Sequence, residues 1–265
     1  MCSEVGIEDE RIASKALNAI TENRIHIAVQ GIHSTANRDC LFYGECLARL
    51  VSENNTVLNA GDFIPSLELL RKTPVLDRHM IKLILDELEA DQRAVLGCNI
   101  STDSLRNKSS WNLIYNQLLA RSHLADRLIL EITETHAFGD VFTANEFLSS
   151  ARQLGCLVAI DDFGRGQVTP WQLLRMKVDI IKIDGGFVRE IKENISGGNS
   201  LNFLIGFAKC VAPIVVVEGV ETRTHLIDAM IAGATHTQGY YLSQPTLLNA
   251  MVSDFRASFD GTRCK

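Results

Sequence analysis

Residues 156–161 read CLVAID and residues 180–184 read IIKID: two short β-rich runs, each closed by a carboxylate, with enough chain between them for one helical crossover. Strand, crossover and second strand form the unit of parallel α/β architecture. Outward from this pair, six further runs have the same character. They are IHIAVQGI after Arg24, LFYGECLARL (41–50), AVLGCNI (94–100), LILEIT (128–133), PIVVVE (213–218) and a weaker one in THTQGYYL (235–242). Eight such runs alternating with amphipathic stretches predict an α/β fold, a (β/α)8 barrel of the TIM type. In PVLDRHMIKLILDELEA (74–90), Leu76, Met80, Leu83, Ile84 and Leu88 share one helical face. Only the short polar STANRD (34–39) joins the first two runs. They are therefore expected to pair as an antiparallel hairpin, which leaves one irregular strand near the N-terminus of the barrel.

A chain of 265 residues suits one barrel-sized domain. The expected layout is an N-terminal helical segment over 1–22, the barrel over 23–250, and a C-terminal helix end and tail over 251–265. Hydrophobic residues at 46% and charged residues at 22% exclude a disordered chain. A net charge of -6 argues against a nucleic-acid polymer as partner, because phosphate-backbone binding needs a basic face. A small phosphorylated ligand stays open where metal ions offset the local acids. Seven cysteines with no C-x-x-C pair point to neither a disulfide framework nor a zinc knuckle, and they fit a reducing cytoplasm. The acidic start MCSEVGIEDERIASKAL is unlike a signal peptide, and no apolar run reaches membrane-spanning length. The expectation is a cytoplasmic chain with no membrane segment. ISGGNS (195–200) reads as a surface loop.

The position of the polar residues carries the chemistry. Glu45 lies within or ends LFYGE, Asn99 ends AVLGCN, Glu131 ends LILE, Asp161 and Asp162 end CLVAIDD, and Glu218 ends PIVVVE. In a parallel barrel these ends converge on the face that carries active sites. An acid after one strand is often only the N-cap of the next helix, and DDFG alone reads as a turn. The same coincidence on successive strands favours a site. Carboxylates gathered there need a compensating cation, and oxygen-only ligands suit hard ions such as Mg²⁺ or Mn²⁺. Lys182 stands inside an apolar strand with Asp184 two residues on, so it is either one half of a buried Lys–Asp pair or an ammonium beside the metals.

Seven blocks, ECL at Glu45, CNIS at Cys98, EITE at Glu131, DDFGRG at Asp161, KID at Lys182, VEGVET at Val217 and QGYYLSQP at Gln238, occur in an order that resembles the EAL family of cyclic di-GMP phosphodiesterases. The resemblance runs from about Gln30 to Pro245. It implies that Glu45, Asn99, Glu131 and Asp161 hold one metal, and that Asp161 bridges to a second supported by Asp162 and by Glu218 or Glu221. It further implies two Mg²⁺ or Mn²⁺ ions per site, with Lys182, Glu218 and Glu45 as catalytic residues. Gln30, Arg49 and Gln238 would contact cyclic di-GMP, and Glu134 would anchor the loop after Asp162. A homodimer and a sensory or regulatory partner are implied as well. The implied reaction is hydrolysis to linear pGpG by attack of a metal-activated water; a non-catalytic receptor or interaction module on the same fold is the alternative.

Three departures from the family pattern stand out. Cys46 replaces the alanine of the tripeptide, Gly31 replaces a proline, and the loop reads DFGRGQVTP with Arg165, Gln167, Val168 and Pro170 as changes. Cys46 should be a small core residue. The loop changes are expected to bear on turnover, second-metal affinity and dimer control, with Arg165 adding a positive charge near the metal site; the counter-reading has it facing solvent or pairing with Glu134.

Overall fold

The structure is a computed structural model that describes residues 2–106, 108–133, 141–166, 168–193 and 198–248. Helix α1 (Cys2–Thr21) leads into β1 (Ile25–Ser34), which reverses into β2 (Leu41–Val51) and a short β3 (Val57–Asn59). There follow α2 (Ile64–Leu69), α3 (Thr73–Ala90), β4 (Leu96–Ile100), α4 (Lys108–Ala120), β5 (Leu128–Ile132), α5 (Val141–Leu154) and β6 (Leu157–Phe163). The chain continues through α6 (Pro170–Leu173), β7 (Ile180–Ile183), α7 (Gly186–Arg189), α8 (Ser200–Lys209) and β8 (Ile214–Val217). The last described elements are α9 (Arg223–Ala232), β9 (His236–Thr237) and β10 (Thr246–Leu247).

Seven strands, β2 and β4 through β9, run parallel, and β1 closes the ring by pairing antiparallel with both β2 and β9. The architecture is thus the expected eight-stranded α/β barrel with an antiparallel member at its N-terminus. Strand β3 adds to the end of β2, and β10 pairs with Ala28 and Val29 in the middle of β1. The expected eighth run shrinks to His236–Thr237. On α3, Leu83 is only partly buried, while Ile81 and Leu85 are buried with Leu76, Met80, Ile84 and Leu88. The helix touches β4, α4 and α1 together, so its buried stripe is broader than a single face. Of ISGGNS, residues 195–197 lie outside the described residues, and Asn199 caps α8 by accepting from the Asn202 N–H.

Alternation along the strands sorts the apolar residues into two sets. Residues such as Cys46, Cys98, Leu130, Ile160, Ile181 and Val217 face the helices. Ile32, Tyr43, Ile129, Ala159, Ile180 and Val216 fill the barrel interior. Cys46 is therefore the buried core residue expected of it. Cys46, Cys98, Cys156 and Cys210 are free thiols, whereas Cys40 is disulfide-bonded, which neither the cysteine count nor their spacing pointed to. Among the described residues no helix is long and apolar enough to cross a membrane.

Candidate active site

The interior layer predicts the site. Two residues beyond an interior residue on the same strand, the side chain again points inward and one layer nearer the C-terminal rim. Tyr43 is followed by Glu45, Gly97 by Asn99, Ile129 by Glu131, Ala159 by Asp161, Ile180 by Lys182 and Val216 by Glu218. Apolar filling below and polar groups above thus come from one period-2 pattern. Glu45 is not at a strand end, since β2 runs on to Val51 to pair with β1 and β3.

Lys182 is the centre of this upper layer. Its fully buried Nζ lies 2.6 Å from Glu131 Oε2, 2.8 Å from Asp161 Oδ1, 2.9 Å from Glu218 Oε1 and 3.0 Å from Glu45 Oε2. Of the two readings of Lys182, the pair with Asp184 does not form and the ammonium stands among the site carboxylates. Asp184 instead accepts from the Gly186 N–H at 2.9 Å and lies 3.9 Å from Arg165. Asp184 follows the last residue of β7, where strand alternation no longer controls direction.

One ammonium cannot balance four carboxylates. Burial pushes Glu131 and Glu218 well above the ordinary carboxylate range and raises Asp161, each further raised by its acidic neighbours and opposed by Lys182. For Lys182 burial works downward, but the surrounding carboxylates outweigh it and hold the amine well above its usual value. Glu45 is the exception. Burial raises it, yet Lys182 and donated hydrogen bonds from Gln238 Nε2 (2.7 Å) and Asn99 Nδ2 (2.8 Å) bring it below the ordinary value. Gln30 extends this chain, accepting from Gln238 at 3.3 Å and donating to the Ser243 carbonyl at 3.0 Å. Gly31, where the family pattern has proline, donates its N–H to Ser243 Oγ at 3.1 Å, a bond proline could not make.

A divalent ion fits these donors. Asn99 Oδ1 and Glu131 Oε1 are buried without a hydrogen-bond partner, while Glu131 Oε2 and Asp161 Oδ1 are met by Lys182 alone, at 2.6 Å and 2.8 Å. One carboxylate oxygen each from Glu45, Glu131 and Asp161 lies within 4.8 Å of the others. Orphaned buried oxygens are costly unless something positive meets them, and an all-oxygen set suits a hard cation.

Asp162 joins Asp161 by a break in strand regularity. The pairing of β6 with β7 shifts between Ile160 and Phe163, and Asp162 adopts a left-handed φ of 54°. Such a bulge turns two consecutive residues toward one side, and both aspartates line the same cavity of about 410 Å³. Burial raises Asp162 to about 6, with Asp161 adding to the effect.

Gln30, Gln238, Glu218 and Glu221 line that cavity too, together with three residues missed in the sequence, Asp184, Arg189 and Tyr240. Glu221 stands apart from the buried cluster, its carboxylate half exposed and 3.7 Å from Arg189. Arg49 does not line the cavity; it donates to the Ala48 carbonyl at 2.9 Å. Four residues past Glu45 it is about 13 Å further along β2, above the rim. Glu134 lies outside the described residues, so its expected pairing with Arg165 does too.

Comparison with known proteins supplies the family. The EAL domain model matches residues 13–245. Cyclic di-GMP phosphodiesterase PdeF of Escherichia coli strain K12 is 30% identical over 209 residues, covering 77% of this chain and 28% of the relative. The chain thus spans under a third of the length of that relative. An EAL domain protein of Listeria monocytogenes superposes with a TM-score of 0.75 at 20% identity, covering 89% of this chain and 94% of the other. Vibrio cholerae LapD superposes with a TM-score of 0.79 at 19% identity over 89% of this chain and 57% of the other. At such identities the two structures speak for the fold alone. With the family pattern running through nearly every barrel strand, from before β1 to the residue before β10, this chain belongs to the EAL domain family.

Proposed function

We propose that this chain is a metal-dependent phosphodiesterase that hydrolyses cyclic di-GMP to linear pGpG. The observation that carries the reading is the buried ring of oxygen donors around Lys182, four of whose members come from different strands and lack enough positive charge among themselves. PdeF, by its name, acts on the same substrate.

Glu45, Asn99, Glu131 and Asp161 are the candidate ligands of one Mg²⁺ or Mn²⁺ ion, and Asp161, Asp162 and Glu218 of a second. Glu221, drawn toward Arg189, would act only through water. Bound divalent ions supply a water of lowered pKa and stabilise charge on the attacked phosphate. Lys182 offsets part of the negative charge at the floor of the cavity and holds the four carboxylates in place. Gln238 and Asn99 keep Glu45 ionised, and Gln30 orients Gln238. The reading carries with it the homodimer and the sensory or regulatory partner that the family pattern implies, for which sedimentation of the chain is the check.

The test is chromatography of cyclic di-GMP incubated with the protein and Mg²⁺ or Mn²⁺. Appearance of pGpG supports the reading, and bound, uncleaved ligand supports the receptor alternative. Glu45→Ala should lower the rate on the order of 10²-fold or more while leaving the fold intact. Retained turnover at saturating metal would remove Glu45 from the ligand set.

A further inference from the structure

Six carboxylates line the cavity, those of Glu45, Asp161, Asp162, Asp184, Glu218 and Glu221, and among the described lining residues Arg189 is the one basic side chain. Lys182 lies beneath them with no exposed surface. Among the side chains that line it, an anionic substrate entering this cavity therefore meets one cation that is free to move toward it. We propose that Arg189 is a substrate-binding residue whose guanidinium pairs with a phosphate oxygen of cyclic di-GMP. This inference rests on the phosphodiesterase reading above and adds to it the residue that offsets the ligand's charge.

The surroundings of Arg189 are built for it. A Cβ on Gly185 would stand 2.8 Å from Arg189 Nη1, and one on Gly219 would stand 2.5 Å from the same atom. The same Cβ on Gly185 would stand 2.8 Å from the Gly219 Cα and 3.1 Å from the Glu218 carbonyl oxygen, and Gly219 has a left-handed φ of 61°, so the close approach of the two backbones itself requires both glycines. With no side chain at either position, a shelf of bare backbone is left between the ends of β7 and β8, and the guanidinium lies over it. Arg189 is fixed there by α7, which begins directly after Asp184 and Gly185 and carries the arginine four residues past Gly185.

Its present partner is weak. Glu221 Oε1 is 3.7 Å away, and the two side chains are 44% and 54% exposed, the setting in which an ion pair contributes little. Among the described residues the guanidinium has no other partner, so its forked N–H donors remain available. That fork matches two oxygens of a phosphate, whereas a lysine ammonium would act only as a point charge.

Steady-state kinetics of Arg189→Ala, Arg189→Gln and Arg189→Lys test the assignment. Loss of a charge-assisted pair should raise KM for cyclic di-GMP on the order of 10- to 100-fold, with kcat nearly unchanged. Lysine should restore part of the loss. The fall of kcat/KM with added salt should be shallower in the alanine and glutamine variants, a signature that mere support of the glycine shelf would not produce. A wild-type chain that yields no pGpG sinks both the phosphodiesterase reading and this one. A wild-type chain that yields pGpG while the variants keep its KM and salt slope, with only a lower unfolding midpoint, overturns the inference alone and leaves Arg189 as a clamp.

Discussion

Replacing Gly97 with alanine should destabilise the protein, although a glycine inside a strand ordinarily costs about 0.5–1 kcal/mol relative to alanine. Gly97 sits on β4 in register with Glu45 and faces the barrel interior. A Cβ there would overlap Glu131 Oε1, stand 2.8 Å from Tyr43 Cε2 and 3.1 Å from the Glu131 carboxyl carbon. The Tyr43 ring is fully buried and cannot yield, so the carboxylate must move. Overpacking of this kind costs about 1–3 kcal/mol. Displaced, Glu131 also loses its 2.6 Å contact with Lys182, and complete loss of a buried partner costs about 3–5 kcal/mol. Against the gain from removing a strand glycine, a net loss of about 3–7 kcal/mol follows. Urea unfolding followed by tryptophan fluorescence measures it. Gly206→Ala is the control: a Cβ meets nothing within 4 Å on this exposed position of α8, so that variant should gain about 1 kcal/mol. A Gly97→Ala chain as stable as the wild type, with unaltered metal dependence, refutes the argument that this glycine makes room for the Glu131 carboxylate.

Lys182→Met removes the ammonium from four carboxylates and should cost about 3–5 kcal/mol in chelator, with part of that recovered as Mg²⁺ is added; the same loss at all metal concentrations counts against the cluster as a metal site. Asp77 is buried, which raises it from 3.8 to about 6 despite donors from Ser101 and Ser104. Between those values the folded state binds more protons than the unfolded, so this group's contribution falls as pH rises, by about 3 kcal/mol in all. Asp77→Asn should flatten that slope between pH 4 and pH 7 in urea unfolding, and an unchanged slope contradicts the assignment. Arg165→Thr removes an arginine 3.9 Å from Asp184 whose side chain is 75% exposed. The metal concentration for half-maximal rate should fall, by no more than about fivefold because exposed pairs are weak. A rise would mean that Arg165 holds the loop in its working position.

Much of the site was legible because strands alternate. Glu45, Asn99, Glu131, Asp161, Lys182 and Glu218 each follow an inward residue by two, and each does point inward. The rule failed where strands ended or broke. Glu221 and Asp184 lie beyond the last strand residues, where Glu221 is drawn beside Arg189 and Asp184 turns to Gly186 and Arg165. Asp162 reaches the cavity only through a left-handed residue in a bulge, which a period of two would have pointed outward.

The parallel class, the antiparallel first strand and the row of polar residues closing successive strands followed from the sequence alone, because they depend on local periodicity and on the length of one connection. What those residues meet was decided only by closure of the barrel. Lys182 and Glu45 are 137 residues apart in the chain and 3.0 Å apart in space. Strand tilt and stagger set which members of neighbouring strands come level, and they place Gly97 beside the Glu131 carboxylate. The shelf under Arg189 is of the same kind, since it forms where the ends of two strands bring Gly185 and Gly219 together. Local spacing carries no record of such encounters, because they arise from the packing of elements that the chain itself keeps far apart.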